Sequence, residues 1–193
     1  NVTGMELVGV VQDTGVHIAG GSNNHIGQYY QSENVISGNG DGVLIADGAT
    51  QNTVSQNRIG LSITRDETLG NTRNGVVIRA ASANTITENS ISASGMNGIL
   101  IEQSSTNNLI RRNDIGEFFA AASRNELHGI LIVDSSDNLI GGPDNENTIG
   151  RNGGDGVRIE GSSAGNAILN NRIFQNSGLG ILLGAGGVVP NDP

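Results

Sequence analysis

Asp134 and Asp137 stand three positions apart in VDSSDNLI, residues 133–140. Two carboxyl groups about 5 to 9 Å apart are what acid–base cleavage of a glycosidic bond needs. This pair also lies in a turn, where Asp is expected for its ability to bond nearby backbone. Asp144, Glu146 or Asp155 offers oxygen donors of the kind Ca2+ takes. The histidines His17, His25 and His128 are the side chains that titrate near neutral pH, but they fall in different parts of the chain. No Ser/His/Asp set can be placed. The glycine strings GGS (20–22) and GNGDG (38–42) precede no helix, so they read as turns and not as phosphate loops. GGDGVRIEG (153–161) does not recur at a nine-residue period. Tyr29, Tyr30, Phe118 and Phe119 are the rings able to stack on a sugar. No residue is assigned as catalytic, cofactor-binding or metal-binding.

The elements that must carry these residues are set by a repeat. Gly, aliphatic, any residue, aliphatic occurs at Gly15, Gly42, Gly75, Gly98, Gly129, Gly156 and Gly180, spaced 23 to 33 residues apart, inside the period range of solenoids. A second mark, Asn, any residue, aliphatic, follows at Asn24, Asn52, Asn84, Asn108, Asn138 and Asn166. A third of the same form comes at Asn34, Asn57, Asn89, Asn113, Asn147 and Asn171. Each repeat therefore holds three strands too short to stand alone, and no stretch shows helical periodicity. Coiling reconciles these facts. Each strand pairs in parallel with its equivalent one turn later, about 4.8 Å away.

The expected fold is all-β: a single-stranded right-handed parallel β-helix of about seven coils, each of three short strands, with no helical domain. It should span residues 1–184, with 185–193 as an exit segment. Alternation turns Val16, Val43, Val76, Ile99, Ile130, Val157 and Ile181 inward on the first wall, with Ile18, Ile45, Ile78, Ile101, Ile132, Ile159 and Leu183 beside them. The Ile-rich columns beginning at Ile26 and Ile36 line the other two walls. Asn at the bends suits an amide ladder and tolerates left-handed backbone, and positive φ is expected at Asp41, Asn74, Asn97 and Asp155, each before Gly.

The outward column of the first wall reads His17, Leu44, Val77, Leu100, Leu131, Arg158, Leu182. Its apolar centre calls for a cover. Insertions follow the second wall at residues 27–33 and 141–146, and the third wall at 60–73 and 116–127. The last two lead into the first wall, so Leu61, Ile63, Leu69, Phe118 and Phe119 are expected over the stripe, a partner surface being the alternative. Arg79 and Glu102 should meet on neighbouring rungs.

Net charge is −9, and all ten basic residues are Arg. Only Arg111 and Arg112 adjoin, too few to bind nucleic acid. There is no Cys, which excludes disulfides and thiolate metal sites. No apolar run of 18 residues is present. No signal peptide is visible, and the chain starts in mid-pattern, as a mature or excised fragment would.

NVISGNGDGVLI (34–45), NTIGRNGGDGVRIEG (147–161) and NRIFQNSGLGILLG (171–184) resemble the right-handed parallel β-helix repeats of the pectate-lyase-like superfamily. More narrowly, they are similar to the alternating coils of large secreted or surface-anchored bacterial multidomain proteins. Residues 178–184 followed by Pro190, Asn191 and Asp192 look like the exit from such an array. The resemblance implies an extracellular or cell-surface setting. Its partners would be further domains of a longer parent chain or copies of the same chain, with polysaccharide as a further possible ligand. Lyases of this fold group acidic residues for Ca2+ on the first wall and use Arg or Lys as base; here those outward positions are apolar. The epimerases' Asp-Pro-His motif does not occur. The expected role is a non-enzymatic spacer, assembly or adhesive module. The alternatives are a carbohydrate-active enzyme, degenerate or not, and a glycan-binding module.

Overall fold

The computed structural model describes residues 12–27, 33–64, 68–116 and 123–184. Tyr29, Tyr30, Phe118, Phe119 and the exit segment 185–193 lie outside the described residues, and so do residues 1–11 of the expected β-helix span. Alternating apolar positions and bends after every few residues give short parallel strands and, among the described residues, no helix. Three sheets result. The first wall has seven strands: Thr14–Ala19, Asp41–Ala46, Val76–Arg79, Ile99–Glu102, Ile130–Val133, Val157–Glu160 and Ile181–Leu183. The second has six: His25–Ile26, Thr53–Ser55, Thr85–Thr87, Leu109–Arg111, Leu139–Gly141 and Ala167–Leu169. The third also has six: Val35–Ile36, Arg58–Ile59, Ser90–Ile91, Asp114–Gly116, Thr148–Gly150 and Arg172–Phe174. Six full coils are thus described, and the seventh contributes its first-wall strand.

Every pairing between these strands is parallel and joins equivalent positions. Ile45 pairs with Ile78, Ile78 with Ile101, and Ile101 with Ile132. Ile110 stands between Ile86 and Ile140, and Ile115 between Ile91 and Ile149. These columns form one continuous apolar core. β-Branched side chains stack well on such flat, repeated surfaces. Ile181 and Leu183 keep the expected register but are 44% and 66% exposed, because no described coil lies beneath them.

The glycine that opens each of the first six first-wall strands is there for space. A Cβ on Gly75, Gly98, Gly129 or Gly156 would lie 2.5–2.6 Å from the third-wall isoleucine Cγ2 of its own coil and 2.6–2.7 Å from the next coil's glycine carbonyl. Isoleucine fills the corner and the backbone passes against it.

The backbone corrects the reading of the bends. Asp41, Asn74, Asn97 and Asp155 do not have positive φ, nor do the ladder asparagines. At most ladder positions the left-handed residue is the one before the Asn: Gln51, Gln56, Ala83, Glu88, Asn107, Arg112, Asp137, Arg151, Asn170 and Gln175. Asn is selected for its amide, and a neighbour of almost any type takes the φ.

Candidate functional site

At the bend before the second wall, Asn24, Asn52, Asn84, Asn108, Asn138 and Asn166 form one column. In each step the backbone N–H and the Nδ2 of one Asn both donate to the Oδ1 of the next, at 2.9–3.2 Å. A second column runs through Asn34, Asn57, Asn89, Asn113, Asn147 and Asn171 at 2.8–3.1 Å. Nδ2 also reaches backbone carbonyls, as when Asn113 bonds Ile86 and Arg111. A buried amide is thereby saturated and the bend is held.

Two further columns were not read from the sequence. Asn39 and Asn71 pair at one bend, and Asn125, Asn152 and Asn176 continue the same column. Between them stands Ser94, fully buried, whose Oγ has no partner. At another bend Ser105, Ser135 and Ser163 form a hydroxyl ladder. A signal existed for the first, an Asn five residues after the third mark in several coils. Serine in a turn gave none.

Among the described residues, a dense set of titratable groups sits at the corner leading into the first wall. Asp41, Asn74, Asn97, His128 and Asp155 stack there. The N–H of Asn74 donates to Asp41 Oδ1 at 3.0 Å, that of Asn97 to Asn74 Oδ1 at 3.2 Å, and that of His128 to Asn97 Oδ1 at 3.2 Å. Asp155 N–H then donates to His128 Nδ1 at 2.9 Å, and Leu179 N–H to Asp155 Oδ1 at 2.7 Å. Arginines neutralise the two acidic members. Arg73 holds Asp41 at 2.8 Å and Asp13 at 2.7 Å, and these bonds raise its pKa, while Arg73 lowers that of Asp13. Arg158 spans Glu160 at 2.8 Å and Asp155 at 3.3 Å, with its pKa raised chiefly by Glu160. Burial pushes His128 below the usual imidazole range, against the pull of Asp155.

The residues first considered for chemistry are dispersed by this architecture. Asp134 and Asp137 both take left-handed backbone. Asp134 Oδ1 accepts from Ser162 N–H at 2.7 Å, capping the next turn, and Asp137 precedes a ladder Asn. Asp155 belongs to the first-wall corner, whereas Asp144 and Glu146 lie in the turn after the second wall. Among the described residues no group of three or more His, Asp and Glu is arranged to hold a metal. His17 is exposed on the first wall and His128 is in the ladder. His25 meets Ser55 at 2.7 Å, a pairing that spans two coils and could not be seen in the sequence. Ser55 is buried at 7% exposure whereas His25 is exposed, so the imidazole lies over the hydroxyl at the surface of the second wall.

The outward column of the first wall is in register as expected, from His17 and Leu44 through Val77 and Leu100 to Leu131 and Arg158. Leu44 and Val77 are 8% and 0% exposed, so the chain itself covers this part of the stripe. Of the expected cover, Phe118 and Phe119 lie outside the described residues, and the described part differs. The apolar cluster on that face comprises Leu44, Ala46 and Val77 with Leu100 against them, and Leu61, Ile63 and Leu69 are not part of it. Their insertion is tied elsewhere: Leu61 bridges Thr68, Ser37 Oγ donates to the Leu61 carbonyl, and Gly38 N–H to that of Leu69. Ile63 is 62% exposed. Arg79 and Glu102 pair at 2.6 Å, as their spacing predicts.

Such an arrangement saturates its polar groups along the axis, coil against coil. No curated protein and no solved structure matches the chain. A family model described as the right-handed β-helix region matches residues 14–191, consistent with the pectate-lyase-like superfamily. With parallel coils, three sheets and amide ladders in place, the chain belongs to the right-handed β-helix family.

Proposed function

We propose that this chain is a non-enzymatic β-solenoid module of an extracellular or cell-surface protein, serving as a rigid spacer whose faces are available for assembly or adhesion. One observation carries the reading: the ladders bind the functional groups of their residues to the adjacent coils. His128 supplies an acceptor to backbone, Asp134 caps a turn, and Asp41 and Asp155 close a column with Arg73 and Arg158. The apolar outward positions Leu44, Val77, Leu100 and Leu131 stand where lyases of this fold gather carboxylates. Support for the extracellular setting is the resemblance of the alternating coils to those of secreted and surface proteins.

The test is incubation of the purified chain with a panel of acidic and neutral polysaccharides, reading reducing ends and unsaturated products. No release is expected. Release that is abolished by Asp134→Asn with Asp137→Asn would make the chain a carbohydrate-active enzyme. A glycan-array signal lost on Tyr29→Ala with Tyr30→Ala would make it a glycan-binding module.

A further inference from the structure

His128 is the one member of its column that can change charge near neutral pH. Its neighbours along that column are Asn97 on one side and Asp155 on the other. An Asn in this place offers a carbonyl oxygen that accepts at any pH. His128 instead offers Nδ1, which accepts the Asp155 N–H at 2.9 Å only while it carries no proton. Room for the ring is built in, since a Cβ on Gly154 would lie 2.8 Å from Nδ1.

We propose that His128 makes the joint between the fifth and sixth coils acid-sensitive, with the neutral ring closing the column and the protonated ring opening it. Protonation sets an Nδ1–H donor against the Asp155 N–H donor. The charged groups facing the ring, Asp155, Arg158 and Glu160, all belong to the sixth coil, while Asn97 of the fourth is neutral. Asp155 Oδ2 lies 3.4 Å from Nδ1, so a protonated ring has a carboxylate to turn toward. That carboxylate already accepts from Leu179 N–H and Arg158, and drawing it to the ring loosens the next step of the column as well. The result is local: a break between coils five and six, with the apolar columns still stacked. It goes beyond the spacer reading and is independent of it.

The burial that lowers the folded-state pKa fixes the direction. The stabilising contribution is fully present above the unfolded imidazole value, about 6.5. It is lost as pH falls from there toward the lowered folded value.

The experiment is nuclear magnetic resonance on the intact chain. At neutral pH the ring nitrogen shifts should report an unprotonated Nδ1. Between about pH 7.5 and about pH 5, protection of the Asp155 and Leu179 amides, corrected for intrinsic exchange, should fall by roughly tenfold or more. His128→Asn, which restores the type found at positions 74 and 97, should keep that protection, whereas His17→Asn with His25→Asn should leave the loss in place. A protonated Nδ1 at neutral pH, amides indifferent to acid, or an equal loss in His128→Asn would each overturn the proposal. The ring shifts and amides of the unsubstituted chain decide the matter even if a variant fails to fold.

Discussion

At the scale of the residue, Asn113 shows what one ladder amide does. It donates to Asn147, Ile86 and Arg111 and accepts from Asn89, all within the buried interior of one bend. Asn113→Ala strands several buried groups at once, and unfolding in urea should show a loss of about 2–3 kcal/mol, since each unsatisfied buried group costs about 1–3 kcal/mol. Ser94 marks the opposite case. It interrupts an asparagine column and leaves its own Oγ unpaired. Ser94→Asn should extend the column from Asn71 toward Asn125 and raise stability by about 1 kcal/mol, the net contribution of a typical hydrogen bond. An unchanged or lowered midpoint would mean that the corner has no room for the amide.

At the scale of the element, a strand of three or four residues survives because each end is fixed by something other than the strand. One end is a ladder amide, and the start of each of the first six first-wall strands is a glycine pressed against isoleucine. Gly98→Ala tests the second. Its new methyl would lie 2.6 Å from Ile115 Cγ2 and 2.7 Å from the Gly129 carbonyl. Overpacking of this kind costs about 1–3 kcal/mol, which denaturant unfolding would register. The repeat mark was legible in the sequence, but its cause was not. Asn or Asp before Gly suggests positive φ, and the φ values place the left-handed residue elsewhere, at positions such as Gln56 and Glu88. A turn former followed by glycine looks the same whether the glycine is needed for its φ or for its missing side chain.

At the scale of the whole molecule, each coil contacts only its neighbours, so stability is close to a sum of coil and interface contributions. The interior coils have partners on both sides: Ile45, Ile78, Ile101 and Ile132 are fully buried. Val16, Ile26, Ile168 and Ile173, in the first and sixth coils, are only partly so. Native-state hydrogen exchange should therefore show protection highest in the strands around Ile78 and Ile101 and falling toward both ends. Uniform protection along the axis would mean that the described coils unfold as one unit. Charge is arranged on the same axis. Arg79 with Glu102 and Arg112 with Glu88 join successive rungs at the surface, where such pairs contribute about 0–1 kcal/mol. They tune the rod, and the apolar columns hold it.

The sequence by itself determined the coil. Glycine, asparagine and aliphatic marks at a recurring interval leave parallel stacking as the arrangement that satisfies them all, and alternation then assigns each isoleucine to a wall. Only the tertiary structure decided what meets across coils, because those partners lie 23 or more residues apart and the insertions vary the interval. It paired His25 with Ser55, gave His128 Nδ1 to the Asp155 amide, aligned the serines of one bend, and tied the insertion around Leu61 to Ser37 instead of the apolar stripe. Local pattern fixes which face a side chain takes, whereas a contact between coils depends on how far each insertion advances the chain before it returns.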